Sequence, residues 1–280
     1  MPRLTQFEND GLTFDVVDAG PEDGEVVVLL HGFPERASSW DAVAARLHAE
    51  GYRTLAPDQR GYSPGARPSG RRAYAVPRLV GDVEALVAAA GGGPVHLVGH
   101  DWGAIVAWAT AGQRPHLVRT LTTVSVAHPQ AFMDAMLRSN QVLRSWYVGF
   151  FQLPVLPERL VGRAVGEKLL RATGMTDAEL ATFRREIVEY GALPHGIAWY
   201  RALPFTPRGW IGQRVTVPTS HVWSEGDTAL ARTGSERTER YVDAAYSLHV
   251  LPGSHWLPEQ QPDALADVVL ERVRSVEAPA

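Results

Sequence analysis

Residues 99–103 read Gly99-His100-Asp101-Trp102-Gly103, and this pentapeptide decides the fold. It follows Val95-His96-Leu97-Val98, which reads as a short buried strand. It precedes Ala104-Ile105-Val106-Ala107-Trp108-Ala109, which reads as a buried helix. A strand that turns sharply into a helix needs small residues two before and two after its apex, and Gly99 and Gly103 stand there. The pattern is a nucleophile elbow, G-x-S-x-G, with aspartate in place of serine. The strained turn pushes the apex side chain out of the sheet, so the exposed group is the Asp101 carboxylate. A serine elbow makes acyl-enzymes. A carboxylate attacks saturated carbon, displaces an epoxide oxygen or a halide, and becomes an ester that water can cleave at the Asp101 carbonyl carbon. The competing reading is an ordinary aspartate capping a helix N-terminus.

Working outward, the chain upstream alternates between two kinds of element. Leu12 to Asp18 and Glu25 to Leu30 read as strands, and Ser38 or Ser39 is expected to cap a helix running to about Glu50. Tyr52 to Pro57 is a strand. A helix starts near Pro77, with Leu79, Val80, Val83, Leu86, Val87 and Ala90 as its apolar stripe. Downstream of the elbow, Leu117 to Val126 is a further strand. This alternation means a mostly parallel, doubly wound sheet with helices on both faces. From Ala131 to about Gly212 only helix signals occur: a long apolar and aromatic stretch from Ala131 to Gln152, then a capping box at Thr176-Asp177-Ala178-Glu179. Strand returns at Val215 to Trp223 and Tyr246 to Leu251, with helices at Glu236 to Val242 and Asp263 to Val273. The fold class is therefore α/β, with a core domain at 1–128 and 213–280 and an inserted helical cap at 129–212. In such sheets, sites lie at the C-terminal strand edge.

Composition narrows the function. The 280 residues suffice for one large domain or a domain with an insert, and 45% are hydrophobic. A net charge of −4 favours neither nucleic acid nor an acidic membrane as partner. The chain has no cysteine, hence no disulfide framework and no thiolate metal site, which fits a reducing cytoplasmic compartment. The first twenty residues mix Arg3, Glu8, Asp10 and Asp15 with apolar residues and are not expected to be a signal peptide. No apolar run approaches the roughly 18 residues of a membrane span. Lys168 is the single lysine against 26 arginines, a bias expected of a GC-rich bacterial genome.

An elbow needs an acid and a histidine later in the chain, in that order. Asp227, in Trp223-Ser224-Glu225-Gly226-Asp227, and His255, in Gly253-Ser254-His255-Trp256, both follow strands at the elbow's edge. Singly, Asp227 could be a loop carboxylate and His255 a surface or capping residue. Glu225 is a rival acid, but Gly226-Asp227 suits the turn better. No carboxylate follows Ser125-Val126-Ala127-His128 until Asp134, which removes the other usual place for the acid. In His31-Gly32-Phe33-Pro34, a turn of small residues can aim the Phe33 N–H at the nucleophile. With the Trp102 N–H it would form an oxyanion hole for the ester's tetrahedral intermediate. His31 is expected to order this turn and His100 to pack, since adjacent elbow side chains point apart.

Four segments together resemble one family: His31-Gly32-Phe33-Pro34-Glu35, Pro57-Asp58-Gln59-Arg60-Gly61-Tyr62, the elbow, and Gly253-Ser254-His255-Trp256. The chain resembles an α/β-hydrolase of the epoxide hydrolase group, which is similar to the haloalkane dehalogenases. The resemblance implies two cap tyrosines whose hydroxyls hold the epoxide oxygen. One precedes a Phe-Gln-x-Pro segment, which places it at Tyr147 before Phe151-Gln152-Leu153-Pro154. The other lies in an Asn-Trp-Tyr-Arg segment, here Ala198-Trp199-Tyr200-Arg201, so Tyr200 matches and the Asn is lost. A phenol of pKa about 10 can donate to a developing alkoxide at neutral pH. A halide wants N–H donors, and many dehalogenases place Asn where Phe33 stands. Gln59 and Ser63-Pro64-Gly65-Ala66-Arg67 depart from the commoner loop.

The resulting expectation is an epoxide hydrolase that forms a vicinal diol through a covalent Asp101 ester, with Asp101, Asp227, His255, Tyr147 and Tyr200 catalytic. Phe33, Trp102, Phe151, Trp199 and Trp256 are expected to line the pocket. No cofactor and no metal are implied. Phe132, Trp146, Phe150, Phe205 and Trp210 join them in pointing to an apolar or aromatic epoxide, handled by a monomer or homodimer. The alternatives are a haloalkane dehalogenase with the same triad and a non-catalytic ligand-binding member of the fold.

Overall fold

Five consecutive apolar residues, Val26–Leu30, form strand β3, and Val95–His100 forms β5 beside it. Runs of this kind are buried on both faces, as a sheet covered on both sides requires. The structure is a computed structural model describing residues 3–276. With β1 (Gln6–Asn9), β2 (Leu12–Ala19), β4 (Arg53–Pro57), β6 (Val118–Val124), β7 (Thr219–Ser224) and β8 (Tyr246–Leu251), these strands make one sheet in the order β1-β2-β4-β3-β5-β6-β7-β8. β2 runs antiparallel to β1 and β4; the pairs from β4 to β8 are parallel. β1 has no apolar alternation long enough to be read from sequence. Its pairing with β2 forms it.

Alternate residues of β3 feed two cores. Val27 and Leu29 pack with α1 (Asp41–Ala49) and the C-terminal helix on one face. Val28 and Leu30 pack with α2 (Val76–Ala89) and α3 (Trp102–Gln113) on the other. The stripe expected of α2 is buried throughout. The approach to α1 differs from expectation, because neither Ser38 nor Ser39 caps it. A turn of 3-10 helix at Ala37–Trp40 precedes the helix, its Ala37 N–H donates to Asp58 Oδ1, and Ser38 donates to Glu186 instead. A carboxylate distant in sequence does the capping, which no local pattern reveals.

Between β6 and β7 the chain is helical. The long stretch expected from Ala131 to Gln152 is three helices: α4 (Pro129–Arg138), α5 (Gln141–Arg144) and α6 (Trp146–Phe150). Breaks fall at Ser139-Asn140 and at Ser145, and the Ser139 hydroxyl bonds back to the Ala135 carbonyl. Then come α7 (Leu156–Val161), α8 (Ala164–Ala172), α9 (Asp177–Phe183), which carries the expected capping box at Thr176 and Glu179, and α10 (Leu193–Ala202). Returning to the core, Val215 only bridges Val242, so β7 begins later than expected. The next helix, α11 (Arg232–Arg237), begins earlier than expected. Short α12 (Leu257–Gln260) and α13 (Pro262–Arg274) end the described chain. No helix among the described residues is long and apolar enough to cross a membrane.

Candidate active site

Register places five strand ends on one edge. Leu30 pairs with Gly99, Gly99 with Thr123, and Ser224 with Leu251. The residues leaving those strands therefore meet. Asp101 sits at φ 49° and ψ −117°, a conformation that an L-residue adopts only when its surroundings impose it. Close backbone approach imposes it. A methyl group on Gly99 would lie 2.3 Å from the Gly103 carbonyl oxygen, and one on Gly103 would lie 2.1 Å from that of Leu30. At Gly32 a methyl would come within 2.5 Å of Asp101 Cβ, so the turn after β3 nests against the elbow. The Phe33 N–H donates to Asp101 Oδ1 at 2.8 Å. Trp102 opens α3, so its N–H has no acceptor within the helix.

Asp227 and His255 come together at this edge of the sheet. Asp227 Oδ1 accepts from the N–H groups of Ala229 and Leu230, each at 2.8 Å, and Oδ2 accepts from His255 Nδ1 at 2.8 Å. His255 Nε2 then faces Asp101 Oδ2 at 3.6 Å. All three side chains are buried. Burial opposes ionisation of Asp101. The hydrogen bond and charge of His255, the charge of His100 and the Phe33 N–H outweigh it and hold the carboxyl below its usual pKa. Burial likewise opposes protonation of His255, yet the Asp227 charge, the bonds to both carboxylates and the Asp101 charge hold its pKa well above the ordinary value. The resting site is thus an imidazolium between two carboxylates. Among the described residues Glu225, the rival acid, makes no bond to His255; its backbone N–H donates to the Leu251 carbonyl.

Behind this triad lies a polar layer that the sequence reading assigned only in part. His31 Nε2 accepts from the Gln59 N–H, so its proton sits on Nδ1 and is donated to the Gly32 carbonyl. Gln59 also donates to the His31 carbonyl, and burial lowers the His31 pKa. His31 therefore orders the turn as a neutral ring, and Gln59, a departure from the usual loop, is its clamp. His100 does more than pack. Its Nδ1 meets Glu35 Oε2 and its Nε2 meets the His255 carbonyl, each at 2.9 Å, so it ties the loop of His255 to the turn after β3. Arg144, from the cap, donates to the carbonyls of Asp227 and Leu230. It lies too far along the chain for any motif to flag it.

The cap closes the site from above with aromatic rings. Tyr200 packs edge-on against Phe151, Trp102 and Phe33, with ring centroids 4.8, 5.0 and 5.3 Å away, and lies 5.9 Å from Tyr147. Burial, then the Asp101 charge, raises the pKa of both tyrosines, so both hydroxyls keep their protons. Two cavities meet here. One, of about 470 Å³, is lined by Phe33, Phe150, Phe151, His255 and Trp256 among others. The second, of about 260 Å³, is lined by Trp102, Ile105, Val126, Phe132 and Met133. Asp101, Tyr147 and Tyr200 are the three residues common to both linings. Trp199 corrects an expectation: it lines neither cavity. It is fully buried against His31, Tyr62 and Trp102, and its indole N–H donates to the Arg60 carbonyl at 2.8 Å. On a helix, consecutive side chains point about 100° apart, so Trp199 facing the core turns Tyr200 to the chamber.

Comparison with known proteins follows the same line. The family model for the alpha/beta hydrolase fold matches residues 25–262. Epoxide hydrolase 4 of Homo sapiens is 32% identical over 280 residues, spanning 94% of this chain and 76% of that protein. The chain belongs to the epoxide hydrolase group of the α/β-hydrolase fold. Epoxide hydrolase 3 of Xenopus tropicalis is likewise 32% identical, spanning 94% of this chain and 75% of its own length. Among solved structures, epoxide hydrolase A from Mycobacterium thermoresistibile superposes with a TM-score of 0.83 at 25% identity, covering 98% of each chain.

Proposed function

We propose that this chain hydrolyses an epoxide to a vicinal diol in two steps, with Asp101, Asp227, His255, Tyr147 and Tyr200 as the catalytic set. The observation that carries the reading is the neck where the linings of the two cavities overlap, which holds one carboxylate, Asp101, and two phenols that keep their protons, Tyr147 and Tyr200. Asp101 Oδ2 is the attacking atom, since Oδ1 is engaged by the Phe33 N–H. The Oδ2–carbon bond forms as the epoxide carbon–oxygen bond breaks, and a tyrosine proton passes to the oxygen. Ester formation removes the Asp101 charge, one of the influences that keep His255 protonated. The His255 proton passes through solvent to the tyrosinate left by the first step, and the neutral ring becomes the base: its Nε2 takes a proton from water, and that water attacks the Asp101 carbonyl carbon. The N–H groups of Phe33 and Trp102 hold the oxyanion on Oδ1. Collapse breaks the Asp101 carbon–Oδ2 bond, the proton on His255 Nε2 passes to Oδ2, and the diol leaves with the original Oδ2, while the hydroxyl proton left on the Asp101 carboxyl returns to His255.

The same geometry supports the finer reading that the substrate is apolar or aromatic. Both cavities are walled by apolar side chains, and a substituent on each side of the neck would occupy one of them. Phe33, Trp102, Phe151 and Trp256 are the pocket residues this reading retains. The cysteine-free composition supports a cytoplasmic setting. The dehalogenase alternative wants a second side-chain N–H donor at residue 33, and phenylalanine has none. A panel of epoxides, including styrene oxide, scored for diol, beside haloalkanes scored for halide, tests the reading. Diol with no halide is expected. Halide release without diol overturns it in favour of the dehalogenase, and tight epoxide binding without turnover favours a binding protein.

A further inference from the structure

Among the described residues, ten of the twelve exposed large apolar side chains lie between Met133 and Leu169, all in the cap. Leu137 is 85% exposed, Leu143 74% and Trp146 54%. On α8 the exposed residues Val165, Leu169 and Ala172 recur at the spacing of one helix face, so this face carries its apolar stripe toward solvent. Leu143, Trp146 and Leu169 also line the larger cavity, so the exposed apolar surface runs into its mouth. Scattered exposed apolar residues are ordinary; a group confined to one segment and continuous with a chamber is not.

Charge on the same segment is uneven. Residues 131–172 hold six arginines and lysines against three carboxylates, although the whole chain is at −4. Each of those carboxylates is bound to an arginine from outside the segment: Asp134 to Arg237, Glu158 to Arg201 and Glu167 to Arg184. Arg144 is engaged by backbone carbonyls and Arg171 by Asp177. Arg138, Arg159, Arg163 and Lys168 are exposed and make no ion pair among the described residues.

We propose that this face of the cap docks on an anionic lipid surface, with the exposed apolar side chains of α4, α5, α6 and α8 at the acyl boundary and Arg138, Arg159, Arg163 and Lys168 over the phosphates. Apolar side chains flanked by long cationic ones, with an exposed Trp among them, are what a protein that lies on a bilayer without crossing it presents. Attraction is local, since charges farther than a Debye length of about 8–10 Å are screened, so the net charge of the chain does not oppose it. A second copy of the chain fits this face less well, because joining two such faces brings two sets of uncompensated cations together. Docking would place the mouth of the larger cavity against a phase that concentrates apolar compounds. It does not depend on the epoxide reading, and its test uses no substrate.

The test is flotation of the full chain with vesicles of phosphatidylcholine alone and of equal phosphatidylcholine and phosphatidylglycerol, at low and high salt. Binding to the anionic vesicles at low salt, weakened by salt and absent from neutral vesicles, is expected. Each cation near the surface contributes about 1 kcal/mol, so replacing three, Arg159→Gln, Arg163→Gln and Lys168→Gln, should lower partitioning on the order of a hundredfold. Leu137→Ser with Val165→Ser should also lower it. None of these five residues lines either cavity. No flotation, or equal flotation with both vesicle types, overturns the proposal. So does a dimer in sedimentation that the serine pair dissociates while no vesicle binding is seen, which assigns the face to a second copy. If the serine pair does not fold, the charge triple decides alone, since its side chains hold nothing in the fold.

Discussion

The two halves of this site are held in place by different physics. At the sheet edge, position is enforced by backbone and hydrogen bonds. Asp101 has no room to leave its strained φ, and Asp227 spends both oxygens on fixed donors. In the cap, Tyr147 and Tyr200 are placed by ring packing and by the rotation of a helix. Hydrogen bonds are directional, preferring angles above about 150° and weakening steeply below about 120°. Ring contacts are broad and yield gradually. The sheet edge should therefore respond to substitution all at once and the cap in degrees, and the two steps of the reaction, which divide between them, should separate.

The sharpest way to break that contrast is at the elbow. Asp101→Asn should lower diol formation by a factor on the order of 10⁴ or more, as loss of a nucleophile does in triads acting as a unit. In a single turnover in heavy-oxygen water, label should enter Asp101 before the diol. Label passing directly into diol would mean water attacks the epoxide itself. His255→Gln should leave alkylation possible and stop hydrolysis, so that mass spectrometry finds Asp101 heavier by one epoxide. In the parent, hydrolysis should slow as pH falls through the His255 pKa, because only the neutral ring is a base. Loss of alkylation in a folded His255→Gln protein would give His255 a different role.

In the cap, Tyr147→Phe or Tyr200→Phe should each slow alkylation by about 10 to 100-fold while ester hydrolysis changes far less. The double variant should almost abolish alkylation, with effects that do not simply add, since both donors share one oxygen. Single-turnover rates of both steps are the measurement. A double variant that opens epoxides near the parent rate would remove the cap from the chemistry.

A smaller effect is expected at Trp199→Phe, which leaves the buried Arg60 carbonyl without its donor at a cost of about 1–3 kcal/mol. Melting should fall, and alkylation should fall more than hydrolysis because Tyr200 loses its reference. Equal loss in both steps would say that the cap and the edge are not separable.

The smallest effect concerns Glu259. Burial, the charges of Glu35, Glu179 and Glu186, and a bond to Glu35 push its carboxyl up to about 9. With a folded pKa above the unfolded value near 4.5, the folded state holds the proton longer, so this group's contribution to stability falls as pH rises from about 4.5 to 9. Glu259→Gln removes that slope. Its melting temperature relative to the parent should rise between pH 5 and pH 8 with turnover the least affected of all these variants, and a gap that stays flat would contradict the assignment.

Much of this was legible in the chain because the elbow is a local event. Gly99, Asp101 and Gly103 announce strand, turn and helix within five residues, and Asp227 and His255 follow strands that carry their own apolar signal. The two cap tyrosines were singled out only through resemblance, since nothing in Tyr147 or Tyr200 alone distinguishes a proton donor from a packed ring, and their role belongs to the proposed reaction. Trp199 shows the limit. An aromatic residue beside a catalytic one reads as pocket, but its side falls to the core, and only helix phase decides that. Asp58 at the start of α1, Glu35 beneath His100 and Arg144 behind Asp227 act across long sequence separations, where neither periodicity nor spacing carries information.

The bond from the Trp199 indole to Arg60 has one more consequence. Arg60 is itself clamped by Asp82, so α10 is moored to the core at a point that the sheet holds still. α5 is fastened to the core as well: Gln141 donates to the Ala229 carbonyl and accepts from the Ala231 N–H, and Arg144 donates to the carbonyls of Asp227 and Leu230. A span that rests on two piers keeps its height above what passes beneath it. Pinned at both α5 and α10, the roof of the chamber keeps Tyr200 at a fixed height above Asp101 while ligands come and go.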